Sequence, residues 1–282
     1  MLSLKNKLIS KVGVPIFKCP ALPFIYIYKM TNKAKKRLSL SEYGIGTKDD
    51  PVYLTAHRGS WADAPQNSLP AFKKAVELGY YTAECDIRLT KDDKWVVLHN
   101  DTVDSLFCQK GHIEEFTYDE VRTFTYKYGP DFWKYKGLKI CSFEEYLDTF
   151  VGTNTRPQIE IKTETYDKLY TVVDAVKAKG LEKNAIVISF DLEQLKVINK
   201  LDSNIELWYL IGKITDERIA EAKAIGDNVW LSPCYDDNDA ASIKLALDAG
   251  IGVSFWTVNK IEDAKKLYDL GVRYIESDIL CK

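Results

Sequence analysis

The chain has 282 residues, and 46% of them are hydrophobic, which supplies enough apolar surface for a sizeable core and excludes an intrinsically disordered chain. Its six cysteines, at positions 19, 85, 108, 141, 234 and 281, form no C-x-x-C pair and no close spacing, so a zinc site or a dense disulfide framework is disfavoured and a reduced, intracellular protein is expected. The formal net charge is −2, but residues 1–40 hold nine Lys and Arg and no Asp or Glu, so the remaining residues carry 30 basic and 41 acidic side chains, a net charge of −11.

Residues 1–46 are interpreted as a basic N-terminal extension. Three prolines and Lys18 interrupt its apolar stretch, so it lacks the roughly 20 uninterrupted apolar residues of a membrane-spanning helix. No small-residue cleavage site follows a compact apolar core, as a signal peptide would require. Two interpretations stay open: residues 1–40 contact an anionic membrane peripherally, or they wrap the domain and bury their aromatic side chains. The expected location is cytoplasmic, with peripheral membrane contact as the open alternative.

Residues 47–282 show alternating strand-like and helix-like segments. The predicted strands lie near 52–56, 82–87, 157–162, 185–189, 205–210, 228–231, 251–257 and 273–277. The helical patterns lie around 68–78, 142–151, 164–179, 191–200, 215–224, 237–249 and 260–269, and Gly79, Gly180, Gly250 and Gly271 lie just past helix ends. The first helix is expected to begin at Asn67, whose side chain would accept from an early backbone N–H, with Pro70 in the first turn.

Eight such alternations favour the α/β class and a (β/α)8 TIM barrel, with a small insertion after strand 2 and the N-terminal extension. An open sheet would more often show a Gly-rich phosphate fingerprint after its first strand, and none is present. The insertion, residues 100–140, exceeds an ordinary barrel loop and is rich in aromatic residues. Most of these aromatics are expected to pack the insertion itself, while a minority could line a pocket.

The chain has only three histidines, and two of them end strand-like runs. His57, followed by Arg58, ends the first strand in "TAHRGS", and His99 ends "WVVLHN". Catalytic groups of a TIM barrel gather at the C-terminal ends of its strands, so His57 and Arg58, which follow the first strand directly, are expected at the barrel mouth. His112 lies in a polar part of the insertion and is expected on the surface.

Carboxylates on the second and third predicted strands form the other candidate group. Strand side chains alternate, so Glu84 and Asp86 in "ECD" share one face, as do Glu160 and Lys162 in "EIK". Three inward carboxylates would repel one another without a counter-charge. Oxygen ligands favour one hard divalent cation, Mg²⁺ or Ca²⁺. The alternative is an internal ion-pair layer, with Lys162 or Arg88 as the cation.

Taken together, these motifs resemble those of the glycerophosphodiester phosphodiesterase family. The matching pieces, in order, are "HRG" 57–59, "PQNS" 65–68, "ECD" 84–86, "TKDDKWVVLHN" 90–100, "EIK" 160–162 and "WTVN" 256–259. The match covers most of residues 51–282 and leaves the N-terminal extension unaccounted for. Gln66 stands where the family usually has Glu, and Asn100 stands where it usually has Asp after the second histidine.

The resemblance implies a role for each matching residue. Glu84, Asp86 and Glu160 would bind one divalent cation, His57 and His99 would be the acid–base pair, Arg58 and Lys162 would meet phosphate oxygens, and Trp256 would lie beside the glycerol. Trp61 also adjoins a strand end and is for that reason a second candidate for the substrate pocket. The alternative for both tryptophans is that they pack the core. The resemblance also implies that the glycerol 2-hydroxyl attacks phosphorus to give a cyclic phosphate, which water then opens. The expected partner is a small-molecule glycerophosphodiester, hydrolysed to glycerol 3-phosphate and an alcohol, and not nucleic acid.

Two further functions stay open from the sequence. One is a lysophospholipase D or sphingomyelinase D-like activity on lipids. The other is a noncatalytic, membrane-associated barrel that binds phosphoesters. The presence of both histidines and all three acidic residues favours an enzyme, and a substrate panel separates the two enzymatic alternatives.

Overall fold

A computed structural model describes residues 35–282 of the chain. The strands in this described part are β1 (Leu38–Ser39), β2 (Tyr53–Ala56), β3 (Thr82–Leu89), β4 (Trp95–Val97), β5 (Arg156–Ile161), β6 (Ile186–Ser189), β7 (Glu206–Ile211), β8 (Val229–Pro233), β9 (Ser254–Phe255), β10 (Tyr274–Ser277) and β11 (Leu280–Cys281). The α-helices of residues 35–282 are α1 (Leu69–Glu77), α2 (Tyr118–Val121), α3 (Phe143–Asp148), α4 (Leu169–Ala178), α5 (Leu192–Leu201), α6 (Asp216–Ile225), α7 (Ala240–Asp248) and α8 (Ile261–Asp269).

Eight parallel strands form the barrel, in the order β8-β7-β6-β5-β3-β2-β10-β9. Single parallel bridges from Leu231 to Val253 and from Cys234 to Trp256 close it between β8 and β9. The predicted (β/α)8 TIM barrel is thereby confirmed. The predicted strand 251–257 is shorter than expected, because only Ser254–Phe255 keeps continuous pairing and its flanks join β8 through those isolated bridges.

The start of the first barrel helix differs from the prediction. Ser68, not Asn67, is the N-cap of α1. Asn67 has a positive φ of 53°, and its side chain donates to Asp86 instead of capping the helix. Pro70 does occupy the first turn of α1, as expected. The predicted glycines after four helices all have positive φ, between 66° and 98°, the left-handed conformation that glycine adopts without steric cost: Gly79, Gly180, Gly250 and Gly271.

The inside of the barrel is apolar on one side and polar on the other. Ile186, Ile188, Trp208 and Leu210 of β6 and β7 form a buried cluster, against which aromatic residues of β8 and β10 pack. Gly252 is required beside this cluster, because a Cβ there would lie 2.1 Å from the indole of Trp230. The inward positions of β2, β3, β5 and β10 carry polar side chains instead, and these lead up to the candidate site.

The insertion, residues 100–140, builds a small core of its own. Its buried members, with those of the neighbouring β4 segment, are Val96, Leu98, Val103, Leu106, Phe107, Ile113, Val121, Phe124, Tyr126 and Ile140. Five of the insertion aromatics therefore pack the insertion: three are buried in this core, and Phe116 and Tyr118 are partly buried against it. His112 is exposed, as expected.

The last part of the predicted N-terminal extension packs against the barrel. β1 pairs in parallel with β11, and Leu40 and Ile45 belong to the main core. Residues 1–34, on which both interpretations of the extension depend, lie outside the described residues. Within residues 35–282, no helix combines the length and the apolar character needed to cross a membrane.

Candidate active site

A tight turn after β2 places His57 and Arg58 at the mouth of the barrel. Gly59 has a φ of 75°, and its backbone N–H donates to the carbonyls of Ala56 and Glu84. A Cβ at position 59 would lie 2.8 Å from the Cβ of Ala71, so only glycine lets the turn pack this closely on α1. The "HRG" motif therefore combines His57 and Arg58, whose side chains can take part in chemistry, with Gly59, which lets the turn that holds them pack on α1.

Three carboxylates meet beside this turn, as the strand alternation predicts. Oxygen atoms of Glu84, Asp86 and Glu160 all lie within 4.8 Å of one another. The two strands are in parallel register, with Glu84 opposite Gln158 and Asp86 opposite Glu160. All three carboxylates are at most 8% exposed. A second group with the same spacing contains His57, Glu84 and Glu276.

The electrostatics of these acids fit a bound cation. Burial, and then the charge of Asp86, raises the pKa of Glu84, and the same two causes raise the pKa of Glu160 to about 8. Burial opposes ionisation of Asp86, but His99, Lys162 and Arg58 outweigh it and lower the pKa. Among residues 35–282, Glu84 Oε1 and Asp86 Oδ1 are buried without a hydrogen-bond partner. Unpaired buried carboxylate oxygens are the donors that Mg²⁺ and Ca²⁺ prefer.

Two permanent cations lie against the acids. The Arg58 backbone N–H donates to Glu84 at 2.7 Å, and its guanidinium donates to Gln66 at 2.6 Å. The Lys162 ammonium lies 2.7 Å from Glu160 Oε1 and 3.6 Å from Asp86 Oδ1.

The ion-pair layer considered from the sequence thus exists in part. It uses Lys162 and Arg58, whereas Arg88 donates to the carbonyl of His99. Glu276 is a fourth buried carboxylate in this half of the barrel, so the charges of two cations do not balance those of the four ionised acids. The donor set therefore fits a divalent ion in addition to the ion pairs.

His57 lies between two carboxylates. Its Nδ1 is 2.7 Å from Asp278 Oδ1, and its Nε2 is 3.8 Å from Glu276 Oε1. Asp278 is itself fixed by the side-chain amide of Asn259, which donates to it at 2.7 Å. Burial works against a charged imidazole here, but the hydrogen bond to Asp278 and the charge of Glu276 outweigh it and raise the pKa of His57.

His99 has a different partner. Its Nδ1 is 2.8 Å from Oδ1 of Asn100, a neutral amide. Burial lowers the pKa of His99, and the charge of Asp86 offsets this only partly. Asp86 therefore links His99 electrostatically to the acid cluster.

Four site residues escaped the sequence prediction: Asn67, Asn259, Glu276 and Asp278. The last two lie at the end of the predicted strand 273–277, in "YIESD", where the same strand-end rule that selected His57 could have found them. Asn67 donates a hydrogen bond to Asp86, and Asn259 donates one to Asp278. Both asparagines lie in loops, and the spacing of residues in the sequence does not predict such contacts.

The two predicted pocket tryptophans have different surroundings. Trp256 donates its indole N–H to the carbonyl of Ser232, and its ring meets Phe190 edge to face at 5.8 Å. Phe190 is 52% exposed, so this pair borders the open mouth. Trp61 lies under the ammonium of Lys35, 4.2 Å from the ring centroid. The structure thus places Trp256 beside the exposed ring of Phe190, and Trp61 beside Lys35, the first residue that the structure describes.

Comparisons with known proteins agree with this architecture. The model of the glycerophosphoryl diester phosphodiesterase family matches residues 57–279. The uncharacterized protein YqiK of Bacillus subtilis is 31% identical over 77% of this chain and 91% of its own, and a glycerophosphodiester phosphodiesterase of Caldanaerobacter subterraneus is 29% identical over 80% and 93%. An Oleispira antarctica phosphodiesterase, solved in complex with the product sn-glycerol-3-phosphate, has the same fold, with a TM-score of 0.72, 21% identity and coverage of 86% of this chain and 96% of its own.

Proposed function

The chain belongs to the glycerophosphoryl diester phosphodiesterase family, and from this premise we propose that it hydrolyses glycerophosphodiesters to glycerol 3-phosphate and an alcohol. Named relatives are glycerophosphodiester phosphodiesterases, and one solved relative holds sn-glycerol-3-phosphate. The observation that carries the proposal is the convergence of three acids, two cations and two histidines on one barrel mouth.

Glu84, Asp86 and Glu160 are proposed to hold one divalent cation, Mg²⁺ or Ca²⁺. Support comes from their spacing and from the buried oxygens of Glu84 and Asp86 that have no hydrogen-bond partner. When bound there, the cation would neutralise charge on phosphate oxygens and on the reacting hydroxyl. Arg58 and Lys162 add fixed positive charge beside the same acids and can hold the remaining phosphate oxygens as charge develops on them.

The two histidines are proposed to divide the proton transfers. A lowered pKa favours neutral His99, which can accept a proton, and a raised pKa favours protonated His57, which can donate one. His99 takes the proton of the glycerol 2-hydroxyl as its oxygen bonds to phosphorus. His57 gives its proton to the alcohol oxygen as the bond from that oxygen to phosphorus breaks, leaving a cyclic phosphate.

The second step reverses these roles. Neutral His57 takes a proton from water as the water oxygen bonds to phosphorus. Protonated His99 returns its proton to the glycerol 2-oxygen as the ring opens, which yields glycerol 3-phosphate and restores both histidines. The residues thus end each cycle in the protonation states in which they began.

A substrate panel tests this function. The purified chain, with Mg²⁺ or Ca²⁺, should release glycerol 3-phosphate and choline from glycerophosphocholine. Glu84→Gln and Glu160→Gln should abolish both the activity and its dependence on divalent ions, because each removes a charged oxygen ligand. Glu144→Gln, an exposed residue of α3, is the matched control and should keep wild-type activity.

Three outcomes would contradict these assignments. Full activity in the presence of a chelator would refute the metal site. Choline release from lysophosphatidylcholine or sphingomyelin, with none from glycerophosphocholine, would replace the proposed substrate class by the lipid class. Binding of glycerophosphocholine without turnover in either ion would support the noncatalytic barrel.

We also propose that residues 1–40 contact anionic membranes peripherally, because they carry nine cations and no acidic residue. The chain should sediment with anionic liposomes at low salt, and less at high salt because screening weakens the attraction. A chain that begins at Lys35 should not sediment, and this boundary keeps Leu40 and Ile45 in the core. If the longer chain ignores the liposomes and the shorter chain melts several degrees earlier, the segment is structural.

A further inference from the structure

A second polar layer lies directly below the active-site layer of the barrel. Its four residues each precede an active-site residue of the same strand or strand end by two positions: Thr55 before His57, Thr82 before Glu84, Gln158 before Glu160, and Glu276 before Asp278. Residues two apart on a strand share a face, and the interior of a TIM barrel is built in such layers. All four are at most 4% exposed.

These four side chains form one hydrogen-bonded chain across β2, β3, β5 and β10. The hydroxyls of Thr55 and Thr82 are 2.5 Å apart, and Thr82 donates to Gln158 Oε1 at 2.9 Å. Gln158 Nε2 in turn donates to Glu276 Oε2 at 2.9 Å. The two threonines thereby fix the carbonyl side of the Gln158 amide, so its NH₂ group is aimed at Glu276.

The polar composition of this layer is unusual for the interior of a TIM barrel. Bulky branched residues dominate TIM-barrel interiors, and the opposite side of this barrel has them at Ile186 and Ile188. A buried amide and a buried carboxylate are costly unless they are hydrogen-bonded, and a fully satisfied polar network holds its members in one arrangement. A layer of this kind can set the position of the groups above it.

We propose that Glu276 is a positioning residue for His57, held in place by Gln158 and the two threonines. With Oε2 fixed by Gln158, Oε1 lies 3.8 Å from His57 Nε2, while Asp278 binds Nδ1 at the other end of the ring. The two carboxylates set both the orientation of the imidazole and the direction of Nε2 at the barrel mouth. This inference rests on the proposed function, in which His57 transfers protons.

The histidine content of the chain makes a spectroscopic test practical. Only three histidines are present, so ¹⁵N-histidine labelling gives three pairs of ring-nitrogen signals. His57→Ala, His99→Ala and His112→Ala assign them. Spectra and steady-state kinetics on glycerophosphocholine are then recorded in Mg²⁺ for wild type, Glu276→Gln and Gln158→Leu. Gln194→Leu, which removes another buried amide but on α5 outside the barrel, is the matched control for spectra.

Glu276→Gln and Gln158→Leu should each shift the ring signals of His57 and leave those of His99 and His112 in place. Both should lower kcat about tenfold or more, the scale of a misplaced catalytic group, with KM within about twofold of wild type. Gln194→Leu should leave the His57 signals unchanged. Gln158→Leu keeps the Glu276 carboxyl group, so agreement between the two variants separates its position from its mere presence.

The proposal is overturned if the His57 signals stay in place in both variants, or if they move while kcat is unaffected. A change in the Mg²⁺ requirement with unmoved His57 signals would also overturn it and would assign Glu276 to the cation site. An inactive wild-type chain would instead refute the proposed function, so the two failures are distinguishable.

Discussion

The surroundings of His57 and His99 differ in one respect that matters for chemistry. A carboxylate, Asp278, contacts Nδ1 of His57, whereas a neutral amide, Asn100, contacts Nδ1 of His99. Both rings are partly buried, and burial alone lowers a histidine pKa. The Asp278 hydrogen bond and the Glu276 charge reverse that effect at His57, whereas the Asp86 charge and the Asn100 hydrogen bond offset it only partly at His99. The pKa values of two identical side chains are thus shifted in opposite directions.

This difference predicts a bell-shaped pH dependence of kcat/KM. In the mechanism that we propose, the active form has His99 neutral and His57 protonated. Activity is therefore lost as pH falls through the pKa of His99, which lies below its ordinary value, and as pH rises through the pKa of His57, which lies above it. The plateau between the two limbs should include the ordinary histidine pKa of about 6.5.

The largest effects should come from removing either ring. His57→Ala and His99→Ala should each lower kcat by about 10² or more, the usual scale of general acid–base catalysis. Steady-state kinetics on glycerophosphocholine in Mg²⁺ measure this. Near-normal kcat in either variant would show that the substituted histidine does not transfer protons in the reaction, and the contrast between the two histidines would then have no catalytic meaning.

Asp278→Asn should have the next largest effect. It makes the partner of His57 a neutral amide, like that of His99, so the pKa of His57 should fall and the alkaline limb should move down by about one pH unit. We expect kcat/KM to fall about tenfold, because the ring also loses orientation. Movement of the acid limb instead would show that the two histidines have been assigned in the wrong order.

Asn100→Asp is the converse change and should have a smaller effect. A carboxylate beside Nδ1 of His99 favours its charged form, so the pKa should rise and the acid limb should move up by about one pH unit. The plateau kcat should stay within about threefold of wild type. An unmoved acid limb would mean that a group other than His99 sets it.

His112→Ala should have the smallest effect. This ring is exposed in the insertion, 3.4 Å from Asp101, and surface pairs of this kind contribute little. Its kcat, KM and pH profile should match those of wild type within error. A loss of activity would indicate that the insertion reaches the substrate, contrary to its packing around its own core.

The sequence predicted the barrel and most of the site because both follow from short-range periodicity. Alternation along single strands placed Glu84 with Asp86, and Glu160 with Lys162, on inward faces, and the structure brings them together. The end of the first barrel strand likewise indicated His57, whereas His99 lies just after β4, which pairs antiparallel with β3 outside the barrel order.

What the sequence did not predict depends on contacts between distant segments. Asn67 was expected to cap α1, but its side chain donates a hydrogen bond to Asp86, nineteen residues away. Asp278 lies 221 residues from His57, so its role as the partner of Nδ1 appears only when the barrel closes. The short length of β9 was not predicted for the same reason. Its pairing depends on how β8 approaches it where the barrel closes between these two strands.

Release of glycerol 3-phosphate from glycerophosphocholine by the purified chain, with His99→Ala assayed in parallel, tests the central claim most directly. Both Mg²⁺ and Ca²⁺ are supplied in turn, and choline is measured in the same reactions. We predict equal amounts of glycerol 3-phosphate and choline from wild type in at least one ion, and a loss of about 10² or more in kcat for His99→Ala. No release by wild type in either ion, or equal release by the variant, would contradict the account.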